Sequence, residues 1–376
     1  MDRHQIQQRT VATLMAANAF GYAGFVAIGA VAALLASEMT GNDSIAGIPA
    51  AAATLGTAAA AAPLAQRSKR LGRRMGIRRG YLIGAIGCGV AFAAGWAGVF
   101  PLLVVAMAAV GVGNASSLQN RFVAADLADE DKRARSIAMV VWVGTIGAVI
   151  GSPSALWANR LGTGLGLAEW VSPAVLGALG FGVAGIIINS ALRPDPLQVA
   201  GGIDPEAPRR NPIRGAAGTW RIVWPNLQAR LAIVAMAVSQ MAMVAVMTMT
   251  PLHMKDHGHA ELSTLVIAVH VLGMFGLAPL IGRWADRIGR IRAVQAGAVV
   301  LGVGTVAAVI AGYLPVMMFV GLFLLGVGWS VALIAGSALL TESLPESERV
   351  AAQGLADVLM SLLGATAAFS SGFIKT

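Results

Sequence analysis

Apolar runs of bilayer-spanning length constrain this chain more than any other feature. A membrane-crossing helix needs about 20 mostly apolar residues. Runs of that kind lie at roughly 11–36, 44–66, 80–98, 101–123, 136–157 and 171–192, and again at 228–252, 262–281, 293–312, 315–340 and 350–374. Between the two groups lies a polar stretch rich in Pro and Arg, from Arg193 to about Asn226. In lipid, backbone N–H and C=O groups must be satisfied within the protein, so such runs fold as helices. An all-α polytopic membrane protein is expected, with a half at 1–192, a central linker at 193–227 and a second half at 228–376. The composition agrees. The chain is 57% apolar and 12% charged, whereas soluble domains carry roughly a quarter charged residues. The first run is too long for a cleaved leader and reads as a retained helix.

Charge placement sets the expected orientation. With the N-terminus in the cytoplasm, 24 of the 27 Lys and Arg residues fall on the inner side, and only Arg160, Lys255 and Lys375 fall outside. This is the positive-inside pattern. It accounts for the net charge of +9 without nucleic acid as a partner; the expected partners are the lipid bilayer and a small molecule or metal ion, and the protein is expected to act as a monomer. The single cysteine, Cys88, lies in an apolar run and excludes an internal disulfide.

The two halves repeat. A shift of 217 places Leu71-Gly72-Arg73 on Ile288-Gly289-Arg290, Gly56 on Gly273 and Gly147 on Gly364. Parallel repeats are one transporter architecture, with the substrate site at the repeat interface near the membrane midplane.

The chemistry concentrates in 236–274, which holds seven of sixteen methionines and four of five histidines. At 100° per residue Met236, Gln240, Met243, Met247 and Met254 share one helix face. His270 and Met274, four apart, are neighbours on the next helix. Neutral thioethers with an imidazole suit Cu(I); equally, methionines fill gaps in apolar packing. The link between these helices adds His253, His257 and His259 to Met254 as an outer capture group. At the same shift Met243, Met247, His270 and Met274 fall on Val26, Ala30, Ala53 and Thr57, so the soft ligands belong to the second half alone. Asp357 lies two turns into the last run, where an ionisable side chain is a candidate either for proton coupling or for pairing with an inner-face Arg such as Arg121. Asn114, Asn120, Asn189 and Gln240 are candidates for bridging helices. No phosphate loop, nucleophile–base pattern or zinc-spaced motif is present, so no enzyme and no resident cofactor are expected.

Gly282-Arg283-Trp284-Ala285-Asp286-Arg287-Ile288-Gly289-Arg290 resembles the signature G-x-x-A-D-R-x-G-R of the major facilitator superfamily. The resemblance implies a gate in which Asp286 caps a neighbouring helix and Arg287 and Arg290 lock inner loops, with Gly282 and Gly289 in the motif. It also implies twelve spans; eleven are read here, the twelfth being absent from the sequence. The first-half copy departs from the pattern, with Ala65, Lys69 and Arg70 where Gly, Asp and Arg are expected. In the fifth run Gly144, Gly147, Gly151 and Pro153 resemble the Gly/Pro motif of proton-coupled antiporters; close helix packing requires small residues too. Met243-x-x-x-Met247 and His270-x-x-x-Met274 resemble the motifs of CcoA-type bacterial copper importers, which implies that these four residues handle the metal. The expectation is therefore a secondary active transporter of the inner membrane that imports copper through the Met/His site by alternating access. The alternatives are a proton-coupled transporter of a small organic compound, such as a drug or vitamin, and a transport-inactive membrane sensor or scaffold.

Overall fold

The computed structural model describes residues 2–42, 45–207, 212–256, 262–311 and 314–374, with some side chains in 212–216, 251–256, 263–264 and 371–374 left undescribed. The described residues form helices and no strand. In chain order these are α1 (Arg3–Thr40), α2 (Ile48–Leu71), α3 (Arg73–Ala97), α4 (Phe100–Val123), α5 (Arg133–Gly164), α6 (Pro173–Ala191), the short α7 (Pro196–Val199), α8 (Pro212–Val223), α9 (Leu227–Asp256), α10 (Ser263–Val271), α11 (Ala278–Ile288), α12 (Arg290–Val309), α13 (Pro315–Glu342) and α14 (Glu346–Ile374). Among the described residues ten helices are long and apolar enough to cross a membrane, or eleven if the bent pair Leu265–Gly276 and Ala278–Ile288 is one span. The helical membrane fold expected from the apolar runs is the fold observed.

Local sequence sets the helix ends. Asp2 caps α1: its side chain accepts from Gln5 N, and the Gln5 side chain returns a bond to the Asp2 backbone N–H, a reciprocal capping box. Gly41 ends the same helix in the left-handed conformation, open to glycine at little steric cost. Pro49, Pro101, Pro173 and Pro315 stand in the first turn of α2, α4, α6 and α13, where a missing N–H costs no helical bond.

The chain divides into two units. One comprises Met1–Leu127 and Ile146–Ala216; the other comprises Ala128–Thr145 and Ala217–Thr376. Helix α5 is thus shared, its first turns belonging to the second unit. Within the first unit α1 packs on α6, α4 on α2 and α3, and α3 on α6. Within the second, α13 packs on α12 and α9, and α9 on α14. Large apolar side chains remain on the outer faces, including Leu82, Ile86, Val105, Ile186, Val299 and Val306. Lipid tails are the medium that such a surface fits.

The repeat is visible in backbone packing. A Cβ on Gly147 would lie 3.0 Å from the Ala23 nitrogen, and one on Gly364 would lie 3.4 Å from Gln240 Cγ. Ala23 and Gln240 are themselves related by the shift of 217. Likewise Gly56 faces the Ala108 carbonyl and Gly273 the Phe323 carbonyl. Small residues at these crossings let helix backbones approach closely. The two Gly–Arg turns also match: Gly72 and Gly289 have φ of 90° and 91°.

Candidate functional site

The span that carries the His–Met pair is not a uniform helix. After α10 the chain makes a π-helical turn, Leu272–Gly276, and α11 follows at a 43° bend. Pro279 explains the break: it has no N–H to donate and its ring clashes with the carbonyl four residues back, that of Phe275. The turn places Gly273 and Gly326 at a backbone-to-backbone contact. A Cβ on Gly326 would lie 2.5 Å from the His270 oxygen and 2.9 Å from the Met274 nitrogen. His270 and Met274 are therefore held against α13.

His270 is 1% exposed, and its Nδ1 lies 2.8 Å from the Leu322 carbonyl oxygen. A carbonyl only accepts, so Nδ1 carries the hydrogen and Nε2 presents its lone pair. Nε2 is buried and has no hydrogen-bond partner among the described residues.

The methionine face of α9 is split between two environments. Met236 is buried at Gly336, and Ser337 Oγ donates to its sulfur at 3.4 Å. Met254 lies in an apolar cluster with Val266, Ala308, Ala311, Met318 and Leu322, and Met247 packs against it. That cluster adjoins His270 through Val266, one turn away, and through Leu322. Met243 is half-buried and Met274 buried. The side chain of His253, and His257 and His259 entirely, lie outside the described residues. Among the described residues no group of three or more His, Cys, Asp or Glu is arranged to hold a metal.

Between the two methionine environments stands Gln240. Its Oε1 accepts from Trp329 Nε1 of α13 at 2.7 Å. Phe275 of the π-turn meets the Trp329 ring edge-on, with centroids 5.7 Å apart at 80°, a favourable aromatic geometry. Gly144 of α5 lies on the same ring, a Cβ there coming within 3.3 Å of Phe275. Because the indole N–H fixes the carboxamide oxygen, the Gln240 amide nitrogen is left as a donor of defined direction. Trp329 and Phe275 escape sequence reasoning because their runs are apolar on every side and periodicity selects no face. The signal that remained was Gln240 itself, the polar residue on the methionine face.

The gate motif is built within the second unit. Asp286 Oδ1 accepts from Ala134 N at 3.1 Å and Oδ2 from Arg135 N at 3.0 Å. Both N–H groups are in the first turn of α5, where the helix dipole favours a negative charge. Arg290 pairs with Asp286 at 2.8 Å and with Glu342 at 3.0 Å, and its guanidinium donates to the Ala285 and Glu130 carbonyls. Gly282 meets α5 at Ala134 and Ala138. Arg287 has no ion pair among the described residues.

In the first unit the corresponding turn is held differently. Arg73, 1% exposed, binds Asp126 through two bonds of 2.8 and 2.9 Å. The carboxylate of Asp195, from the central linker, accepts from Arg73 N and Arg74 N. Lys69 O accepts from Asp204 N and Arg70 donates to Pro205 O. The linker thus takes hold of the loop whose own motif lacks its Asp.

The first unit also holds a buried polar group. Asn120 donates to the Tyr81 hydroxyl at 2.7 Å and contacts Asn18 Oδ1 at 3.4 Å, and Tyr81 shares a hydrogen bond with Ser117. Arg121, 2% exposed, stacks on Phe122. Asn114 reaches Thr57 at 3.4 Å. In the second unit Asp357 is 2% exposed in α14, beside Gln353, which donates to Thr341. Gly147 and Gly151 of α5 pack against α1 at Ala23 and Val26.

A family model described as Major Facilitator Superfamily matches residues 13–369. The chain is 35% identical over 374 residues to the uncharacterized MFS-type transporter YddS of Bacillus subtilis (strain 168), covering 99% of this chain and 86% of that protein. It is 27% identical over 368 residues to the riboflavin transporter RfnT of Brucella anthropi, covering 97% and 88%. Two solved structures share the fold: the human organic anion transporter MFSD10 (TETRAN), with TM-score 0.76, 13% identity and coverage of 97% and 92%, and the proton:xylose symporter XylE, with TM-score 0.72, 16% identity and coverage of 100% and 90%. None of these relatives supports a copper specificity. With nearly the whole chain matched and a relative above 30% identity, this multi-pass membrane protein belongs to the major facilitator superfamily.

Proposed function

We propose that the protein is a secondary transporter of a small organic compound with a flat, hydrogen-bonding ring system, moved by alternating access across the bacterial inner membrane. In this reading it is a monomeric carrier and not an enzyme, and its N-terminus is cytoplasmic. The observation that carries it is the fixed carboxamide of Gln240, bonded to Trp329, whose ring Phe275 meets edge-on. Aromatic edges with one oriented neutral donor suit a planar heterocycle. The likeness to a riboflavin transporter selects the first compound to test.

Counterflow of labelled riboflavin in proteoliposomes, which reads binding and passage in either direction, is the test. Gln240→Ala is expected to raise the half-saturation concentration about tenfold, the worth of one hydrogen bond to a substrate. Trp329→Phe is expected to do nearly the same, because it frees the carboxamide. Wild-type kinetics in both variants would sink the assignment.

A second reading, copper, rests on His270. A metal-binding imidazole commonly donates its other N–H to a carbonyl, as His270 does to Leu322. In that reading Met243, Met247, His270 and Met274 carry Cu(I), and His253, Met254, His257 and His259 collect it. The separation of Met236, Met247 and Met254 into ordinary packing makes it the weaker of the two. Copper-64 uptake lost on His270→Gln, with riboflavin counterflow absent, would reverse that order.

A further inference from the structure

We infer that the basic ends of α3 and α6 form a binding site for the phosphate of an anionic phospholipid. Three guanidinium groups converge there on one neutral residue. Arg78 donates to Asn189 Oδ1 at 3.0 Å, Arg193 to the Asn189 carbonyl at 3.2 Å and Arg74 to the same carbonyl at 3.5 Å. Each carries a full charge, and a carboxamide and a carbonyl neutralise none of it. Among the described residues none of the three has an ion pair. The Nε of Arg78 is buried with no hydrogen-bond partner.

The nearest carboxylates are otherwise engaged. Asp195 accepts from the backbone nitrogens of Arg73, Arg74 and Leu197, and Asp126 binds Arg73. Backbone N–H groups leave the charge of Asp195 in place, so three guanidinium groups stand beside one uncompensated carboxylate; the cluster keeps an excess of positive charge, and the planar fork of arginine matches phosphate oxygens.

What lies next to the charge selects a lipid over a free phosphate. Arg78, Leu82 and Ile86 follow one another at four-residue spacing on α3, so they share a stripe. On α6 Asn189, Ile186, Leu179 and Val175, spaced by three, seven and four residues, also share one face. Leu82, Ile86, Ile186, Leu179 and Val175 are 52%, 57%, 68%, 59% and 44% exposed, and α3 packs on α6. Two adjacent apolar stripes thus run from the arginines along the membrane-facing surface, as acyl chains below a headgroup require. The inner leaflet as its location rests on the orientation proposed above; the site itself does not depend on the substrate.

The test is titration of purified protein in detergent with phosphatidylglycerol, phosphatidylcholine or inorganic phosphate, read by native mass spectrometry. Wild type is expected to bind phosphatidylglycerol at least fivefold more tightly than phosphatidylcholine. Each arginine near a headgroup is worth about fivefold, so Arg78→Gln with Arg193→Gln is expected to weaken phosphatidylglycerol about 25-fold. Arg67→Gln, an exposed charge near the C-terminal end of α2, is expected to change it less than twofold. Equal binding of the two lipids by wild type overturns the proposal whether or not the variants fold. So does an Arg67→Gln effect as large as the others, which would mean diffuse attraction. Inorganic phosphate competing at equal concentration would make this an anion site and not a lipid site.

Discussion

Arg73 and Arg290 stand in equivalent turns of the two units and are secured by different carboxylates. Arg73 makes a two-bond pair with Asp126, with side chains 1% and 5% exposed. Arg290 divides itself between Asp286, Glu342 and two carbonyls. Breaking a buried pair by removing one partner costs about 3–5 kcal/mol, whereas an exposed pair is worth less than about 1 kcal/mol. Asp126→Asn is therefore expected to lower stability by about 3 kcal/mol, and Asp129→Asn, whose partner Lys132 is half-exposed, by almost nothing. Thermal unfolding of the two variants in one detergent compares them directly. Asp286→Asn belongs with the costlier change, though Glu342 still holds Arg290; a loss of about 1–2 kcal/mol is expected. Asp286 and Arg290 were legible in the sequence because the motif spacing is distinctive. Asp126 was not, since its partner is 53 residues away and nothing local marks it.

At the scale of helices, hydropathy located the helices that are long and apolar enough to cross a membrane among the described residues, because lipid leaves the backbone no other way to satisfy its bonds. It did not show the π-turn at Leu272–Gly276, which Pro279 and the close pass of Gly273 and Gly326 against α10 and α13 impose. Nor could it show that the α9 methionines meet two environments. A helical stripe gives direction around one axis, and the partner on each side is a tertiary fact. The Gly326 contact has a direct consequence. Valine there would drive Cβ into the His270 carbonyl, and overpacking of this kind costs about 1–3 kcal/mol. Gly326→Val is expected to lower the unfolding temperature and to disturb His270, while Gly302→Val on α12, where a Cβ meets open space, is expected to leave both unchanged.

Across the whole molecule, the shift of 217 that aligns the two halves also aligns their packing, from Gly147 on Ala23 to Gly364 on Gln240. The scaffold was legible at this scale because small residues recur where helices cross. The substrate was not. The contacts we propose for it fall where the repeat is broken, as at Gln240, whose counterpart is Ala23. Asp357, buried in α14, is the residue we propose to couple transport to protons, since a carboxyl inside a membrane is costly unless it is used. Asp357→Asn is expected to abolish accumulation driven by a proton gradient and to preserve counterflow, which needs no gradient.

The most direct measurement is parallel counterflow of labelled riboflavin and copper-64 in proteoliposomes containing wild type, Gln240→Ala and His270→Gln. The account predicts saturable riboflavin exchange that Gln240→Ala weakens about tenfold and no copper movement. Copper movement lost with His270→Gln, alongside riboflavin exchange absent from wild type, would contradict it.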